Sequence, residues 1–312
     1  MLITNLIIFV AACLALFFSA SFLVKSLSKI GGFLRIQEFT AGFIVMAIAT
    51  SLPELFVGIS AALEKNTALA LGNVIGSNII DLTLVAGIGI VLVRGYRVKT
   101  KETKKDALFM VGFAFLPLVL MTLGEQISRL DGLILIAAFS MYIIRMIKKR
   151  KYYPKIYKNE IIRKQIVFNV FLFTFSLAVL FLSARYVVIY GSSLSLDLAL
   201  PPILIGLFLI AFATSLPELV FETTALLKGH SEMSLGDLIG SVITNSALVL
   251  GITAIIQPLS ANFFLAITSG FFMVIVALVF ATFVESNKLH WKAGISLIMM
   301  YVFFVILEFF IK

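Results

Sequence analysis

The sequence predicts an all-α polytopic membrane protein of about ten transmembrane helices, built as two inverted five-helix repeats, and three observations carry that prediction. The chain of 312 residues is 61% hydrophobic and only 13% charged, with a mean hydropathy of +1.11, which is too apolar for a soluble domain. Its apolar stretches are continuous and about 20 residues long, the length that crosses a bilayer core as a helix. They lack the period-two alternation of a barrel wall. Third, Ala47-Ile48-Ala49-Thr50-Ser51-Leu52-Pro53-Glu54-Leu55 recurs as Ala211-Phe212-Ala213-Thr214-Ser215-Leu216-Pro217-Glu218-Leu219, and Leu71-Gly72-Asn73-Val74-Ile75-Gly76-Ser77 recurs as Leu235-Gly236-Asp237-Leu238-Ile239-Gly240-Ser241. Both pairs are offset by 164 residues, so the duplicated unit is a whole half-protein.

Taken in order, the expected spans cover residues 6–24, 38–63, 69–93, 107–123, 131–147, 165–190, 201–227, 233–256, 262–284 and 292–311. The first carries the only cysteine, Cys13, which excludes an internal disulfide or a thiolate metal cluster. It is expected to be retained, because Met1-Leu2-Ile3 is not the basic start of a cleavable signal. The second span holds the first Thr-Ser-Leu-Pro-Glu stretch and stops at Glu64-Lys65; the third holds the Gly-rich stretch and Asp81 and stops at Arg94. Arg129 separates the fourth from the fifth. The sixth contains Arg185, which is expected either to pair with a core carboxylate or to reach an interface. Pro201-Pro202 opens the seventh, which repeats the second, and the eighth repeats the third with Asn245 in place of Asp81. Lys288, His290 and Lys292 divide the last two.

The organisation is therefore an N-terminal repeat over 1–147 with its core at 42–88, a basic linker over 148–164, and a C-terminal repeat over 165–312 with its core at 206–252. Lys and Arg gather after spans 1 and 3, in the linker and at Lys228, Lys288 and Lys292, whereas the opposite face has only Lys65, Arg129 and Lys312. By the positive-inside rule the linker is cytoplasmic and both termini lie outside. The net charge of +9 is thus a membrane-topology signal and predicts no nucleic-acid partner. Five spans per half, an odd number, force the second half to enter from the opposite side, and such inverted repeats place the solute near the midplane at their interface.

On a helix Ala47, Thr50, Ser51 and Glu54 share one face, as do Ala211, Thr214, Ser215 and Glu218. Each face is a row of oxygen ligands. Pro53 and Pro217 cannot donate to the carbonyls of Ala49 and Ala213, which loosens the preceding turn and frees backbone oxygens. A carboxylate in mid-membrane costs about 2.5–3.5 kcal/mol on insertion scales. Glu54, Asp81, Glu218, Glu222 and Asp237 therefore require a compensating cation or proton. Glu222, aligned with Gly58, is read as lining a vestibule or facing an interface, and Asp237 as a helix N-terminal carboxylate. The histidines, His230 and His290, fall in loops. Soft metals thus lack ligands, an intramembrane hydrolase lacks a histidine base, and no enzymatic activity is expected. Hard cations remain, and calcium, which accepts six to eight oxygens in adaptable geometry, fits better than magnesium. Gly72 and Gly76, with Gly236 and Gly240, give the small-xxx-small spacing of closely packed helices.

At these residues the chain resembles the calcium/cation antiporter superfamily, specifically its sodium/calcium exchanger branch of prokaryotic type. The resemblance covers essentially the whole chain. It implies a ten-helix exchanger with no resident cofactor, calcium and sodium as substrates, and a multi-pass location in the cell membrane of a prokaryote, in contact with lipid. It further implies that Glu54 and Glu218, with the carbonyls of Thr50 and Thr214, bind calcium. Ser51, Ser77, Ser215 and Ser241, with the carbonyls of Ala47 and Ala211, match the sodium positions, and Asp81 and Asn245 match the middle pair. The chain departs from the family pattern in carrying Asp in the first repeat and Asn in the second, and in Asp237 and Val242, where Asn is common. Calcium/proton exchange is the alternative, although proton-coupled relatives tend to carry a glutamate where this chain has Gly76 and Gly240. A calcium channel is the more distant alternative.

Overall fold

The computed structural model describes residues 1–33, 46–98, 100–148 and 163–311. Most of the linker expected at 148–164, the start of the expected second span and the first four residues of the repeat core at 42–88 lie outside the described residues.

The first helix is α1 (Leu2–Phe33). The first repeat motif then forms a broken helix, α2 (Ala47–Thr50) and α3 (Leu52–Leu63), interrupted at Ser51. The second motif gives α4 (Thr67–Ile80), a wide π turn at Asp81–Val85, and α5 (Ala86–Leu92). A short strand β1 (Gly95–Arg97) leads into α6 (Lys101–Gly124) and α7 (Arg129–Lys148). The second half opens with α8 (Arg163–Asp197). Next come α9 (Pro202–Leu204), a π turn at Ile205–Ile210, α10 (Ala211–Thr214) and α11 (Leu216–Leu227), broken at Ser215. Then follow α12 (Ser231–Ile243), a π turn at Thr244–Val249 and α13 (Leu250–Ile256). The chain closes with α14 (Phe263–Glu285), β2 (Lys288–His290) and α15 (Trp291–Ile311).

Eight helices among the described residues are long and apolar enough to cross a membrane, and the pair Pro202–Thr214 and Leu216–Leu227, bent by 41°, makes a ninth. The remaining expected span, 38–63, is described only from Met46 onward. Burial ranks the spans. Thr67–Leu92 is 83% buried and Ser231–Ile256 78%, against 28% for Arg129–Lys148 and 22% for Trp291–Phe310. The two glycine-rich spans are therefore the axis of the bundle, and the outer helices turn side chains such as Leu133, Met141, Phe303 and Phe310 outward, as an apolar solvent permits.

Local sequence accounts for the breaks. Ser51 (φ −76°, ψ 1°) and Ser215 (φ −82°, ψ 0°) leave helical geometry just before Pro53 and Pro217, which open the following helices. Both of those helices end alike. Lys65 (φ 56°) and Gly229 (φ 81°), again 164 residues apart, take the left-handed conformation that ends a helix. Asn66 then donates its N–H to Ala61 and His230 donates to Ala225, which reverses the chain.

The halves are inverted. The turn after α3 lies against the end of α8 and the α13–α14 connection, where Asn66 Nδ2 donates to Ser192 Oγ at 2.7 Å and Thr67 Oγ1 to the Ser260 carbonyl at 2.9 Å. The matching turn after α11 lies at the opposite face. There Glu232 accepts from Thr103 at 2.6 Å and from Thr100 at 3.2 Å. This second face carries an antiparallel ribbon, β1 on β2 in the register Gly95↔His290, Tyr96↔Leu289 and Arg97↔Lys288, which apolar periodicity does not announce. Gly72 and Gly76 play the packing role expected of them. A Cβ on Gly72 would run into the Ile203 carbonyl and one on Gly76 into the Leu207 carbonyl, so α4 lies directly on the turns leading to α10.

Candidate functional site

Where the broken helices meet the two axial spans, oxygen-bearing side chains converge in a core closed to solvent. Thr50, Ser51, Glu54, Ser77, Asp81, Thr214, Ser215, Glu218, Ser241 and Asn245 are each at most 2% exposed, and Ala47 and Ala211 are fully buried. Two hydroxyl pairs cross between the halves. Thr50 Oγ1 stands 3.3 Å from Ser241 Oγ, and Ser77 Oγ stands 3.1 Å from Thr214 Oγ1. Each threonine also donates back into its own broken turn, Thr50 to the Met46 carbonyl at 3.0 Å and Thr214 to the Ala211 carbonyl at 3.2 Å. Each meets an aligned residue of the opposite half as well. Thr50 Oγ1 lies 3.3 Å from Asp237 Oδ1 and Thr214 Oγ1 3.1 Å from Asn73 Oδ1, so each hydroxyl hydrogen is shared between two acceptors.

The carboxylates sit between these pairs. Glu54 lies beside the hydroxyls of Thr214 and Ser77, and Asp81 beside that of Ser215. Glu218 is in electrostatic range of Glu54, Asp81 and Asp237. Both oxygens of Glu54, Asp81 and Glu218 lack a hydrogen-bond partner, as do the hydroxyls of Ser51 and Ser215 and both amide atoms of Asn245. A buried unsatisfied polar group costs about 1–3 kcal/mol, and more when charged. Among the described residues no three carboxylate, histidine or cysteine side chains form a metal cage by themselves. Any cation held here would draw its remaining ligands from hydroxyls and backbone carbonyls.

Asp81 opens one π turn and Asn245 lies in another. A π turn widens the helix by one residue and leaves its carbonyls less tightly held, and such turns concentrate at functional sites.

One expectation needs correction. Asp237 is not at a helix N-terminus; α12 starts at Ser231, Glu232 occupies its first turn, and Asp237 is buried in mid-helix against Thr50. Of the two alternatives for Arg185 the structure shows the second, with the side chain at the surface 3.8 Å from Glu64 Oε1. Asn73, aligned with Asp237 at the repeat offset, and Ser234, the partner of Glu222, are not among the ligands expected from sequence. Glu308, bonded by Ser269 at 2.6 Å, is a further buried acid, on α15, outside the set expected from sequence.

Comparison with known proteins gives this geometry a family. The family model described as "Sodium/calcium exchanger protein" matches residues 4–148 and 168–310. The chain belongs to the sodium/calcium exchanger family. It is similar to the sodium/calcium exchanger MaX1 of Methanosarcina acetivorans, with 27% identity covering 100% of both chains. It is also similar to the inner membrane protein YrbG of Escherichia coli, with 29% identity over 83% of this chain and 79% of that one. Among solved structures it resembles the sodium-calcium exchanger NCX_Mj soaked with sodium and strontium, at a TM-score of 0.71 and 26% identity, covering 98% of this chain and 99% of the other. As a member of this family the chain is a multi-pass membrane protein of the exchanger type, with the polytopic helical fold expected from its sequence.

Proposed function

We propose that the protein is a secondary antiporter that exchanges sodium for calcium by alternating access and uses the sodium gradient to expel calcium across the cell membrane of a prokaryote. One observation carries this reading: Glu54 and Glu218, aligned in the two repeats, are buried with all four carboxylate oxygens unpartnered. Two carboxylates balance one calcium ion. The carbonyls of Thr50 and Thr214 complete its oxygen shell, while Ser51, Ser77, Ser215 and Ser241 with the carbonyls of Ala47 and Ala211 serve sodium. Asp81 and Asn245 form the middle pair.

Antiport follows from charge. With Glu54, Glu218 and Asp81 ionised, the empty core carries three negative charges in a poorly solvated place. Two like charges 4 Å apart repel by about 4 kcal/mol at an effective dielectric constant of 20. The empty carrier is therefore slow to switch, whereas one calcium or several sodium ions neutralise the same oxygens and release the block. Because both ions compete for one ligand set, each can drive the other's release on alternate sides. The archaeal relative named as a sodium/calcium exchanger supports the exchange reading, and the archaeal and bacterial sources of the two relatives support the prokaryotic location.

The test is calcium uptake into vesicles reconstituted with the purified protein, against an outward sodium gradient and, separately, an outward proton gradient without sodium. Sodium-driven uptake is expected. Uptake driven only by protons would replace sodium with protons in the scheme, and flux without a coupled counter-ion would indicate a channel.

A further inference from the structure

Around Glu222 the pseudo-symmetry of the two halves fails as a matched set. Gly58 corresponds to Glu222, Ala70 to Ser234 and Gly89 to Thr253, each 164 residues apart. In one half Gly58 is closed over by Thr253, whose Oγ1 would lie 2.6 Å from an added Cβ. In the other the exchange is reversed. Glu222 extends toward Gly89, where an added Cβ would lie 3.6 Å from its Cγ and 3.8 Å from its Oε1. Ser234 Oγ donates to Glu222 Oε1 at 2.6 Å, but Oε2 has no partner, and the side chain is fully buried. Asp237, within electrostatic range of Glu222, likewise leaves Oδ2 unpartnered. Tyr96, on β1, brings a buried hydroxyl beside Ser234 and Glu222. Beyond it, Glu232 and its partners Thr103 and Thr100 continue the line of oxygens to the face bearing the ribbon.

We propose that Glu222, with Asp237, Ser234 and Tyr96, forms a second calcium-binding site on the route between the central cluster and the ribbon face, and that the other half, sealed at Gly58 by Thr253, has no counterpart. The donors are hard oxygens and the two carboxylates supply the charge of one divalent cation. Glu222 lies one helical turn from Glu218 toward the basic end of α11, so an ion held there is one step from the central ligands. The site therefore loads calcium from one side only. This inference rests on the exchange reading, and its test separates the two.

Calcium exchange is measured in right-side-out and in everted membrane vesicles containing the full chain, with the ribbon face assigned by maleimide labelling of Lys105→Cys in a Cys13→Ala background. Glu222→Gln keeps the side chain's shape and an acceptor for Ser234. It is expected to raise the half-saturating calcium concentration about tenfold when calcium meets the ribbon face, and to leave the other orientation unchanged; a tenfold change corresponds to about 1.4 kcal/mol. The unchanged orientation is the internal control for folding. Equal shifts in both orientations, no shift in either, or complete loss of exchange would each overturn the one-sided site. If the parent protein exchanges no calcium in either orientation, the central reading falls and this site falls with it.

Discussion

Ser77 and Thr214 meet hydroxyl to hydroxyl at 3.1 Å, although 137 residues of chain separate them. Their counterparts Ser241 and Thr50 meet at 3.3 Å, so the same contact is made twice, once by each half reaching into the other. The oxygen-bearing rows read from each repeat are therefore interleaved.

We predict first that Glu54→Gln and Glu218→Gln each reduce calcium exchange by at least about 100-fold, in line with about 3 kcal/mol lost per charged ligand to a desolvated cation, while the protein remains folded. Both side chains are fully buried, and glutamine keeps an acceptor oxygen for the Thr214 and Ser77 hydroxyls beside Glu54, so the amide leaves no partner stranded. Vesicle calcium uptake and thermal unfolding in detergent measure the two halves of this claim. Parental uptake in either variant removes the central site.

Sodium dependence should respond more to the serines. Ser51→Ala and Ser241→Ala are expected to raise the sodium concentration needed to drive half-maximal exchange by several-fold, with a smaller effect on calcium. The Ser51 hydroxyl has no protein partner, so its loss costs no internal hydrogen bond. Titration of exchange against sodium and against calcium in each variant separates the two effects; equal shifts for both ions would argue against this division of labour.

The middle pair offers a charge-transfer experiment. Asp81→Asn is expected to leave calcium exchange largely intact and to change its pH dependence, because two glutamates balance one calcium and the third carboxylate is the group able to take up a proton. Moving the acid, with Asp81→Asn and Asn245→Asp together, is expected to restore near-parental pH behaviour, since the two positions lie at aligned π turns of opposite halves. Exchange lost at every pH in Asp81→Asn, or a profile that overlays the parent's, would refute the assignment.

Packing gives a prediction independent of ions. Gly72→Ala and Gly76→Ala place a methyl group against the carbonyls of Ile203 and Leu207 and should lower stability by about 1–3 kcal/mol, the usual range for overpacking. Gly112→Ala, where an added Cβ meets nothing within 4 Å, is the control and should leave the melting temperature unchanged or slightly raised. Thermal unfolding in detergent decides.

Orientation can be checked with single cysteines at Lys155 and Lys65 in the Cys13→Ala background. The charge distribution predicts labelling of the first from the cytoplasm and of the second from outside. The reverse pattern would invert the topology.

Much of this was legible in sequence for physical reasons. Apolar length reports on the bilayer directly, and a fixed offset of 164 residues exposes the duplication without any structural knowledge. Helical spacing was enough to place Thr50, Ser51 and Glu54 on one face. What escaped was set by tertiary contact. The π turns at Asp81 and Asn245 leave no period of their own in so short a stretch. Asp237 reads as a helix start because the apolar run of the eighth span begins at Met233, and its approach to Thr50 shows that it lies inside. The ribbon pairs three residues with three others nearly two hundred positions away, too few for alternation to register.

That ribbon constrains how the molecule can move. By joining Tyr96 to Leu289 through backbone bonds, it fastens a first-half loop to a second-half loop on this face. No such ribbon joins the halves at the opposite face among the described residues, where a single bridge links Ile127 and Leu259. On the ribbon face, a cavity of about 470 Å³ lies between α1 and α11, lined by Val24, Lys25, Pro217, Phe221 and Lys228. A gate on this face would thus be hinged along the stitched edge, so the oxygens around Tyr96 keep their places while the α1 side swings.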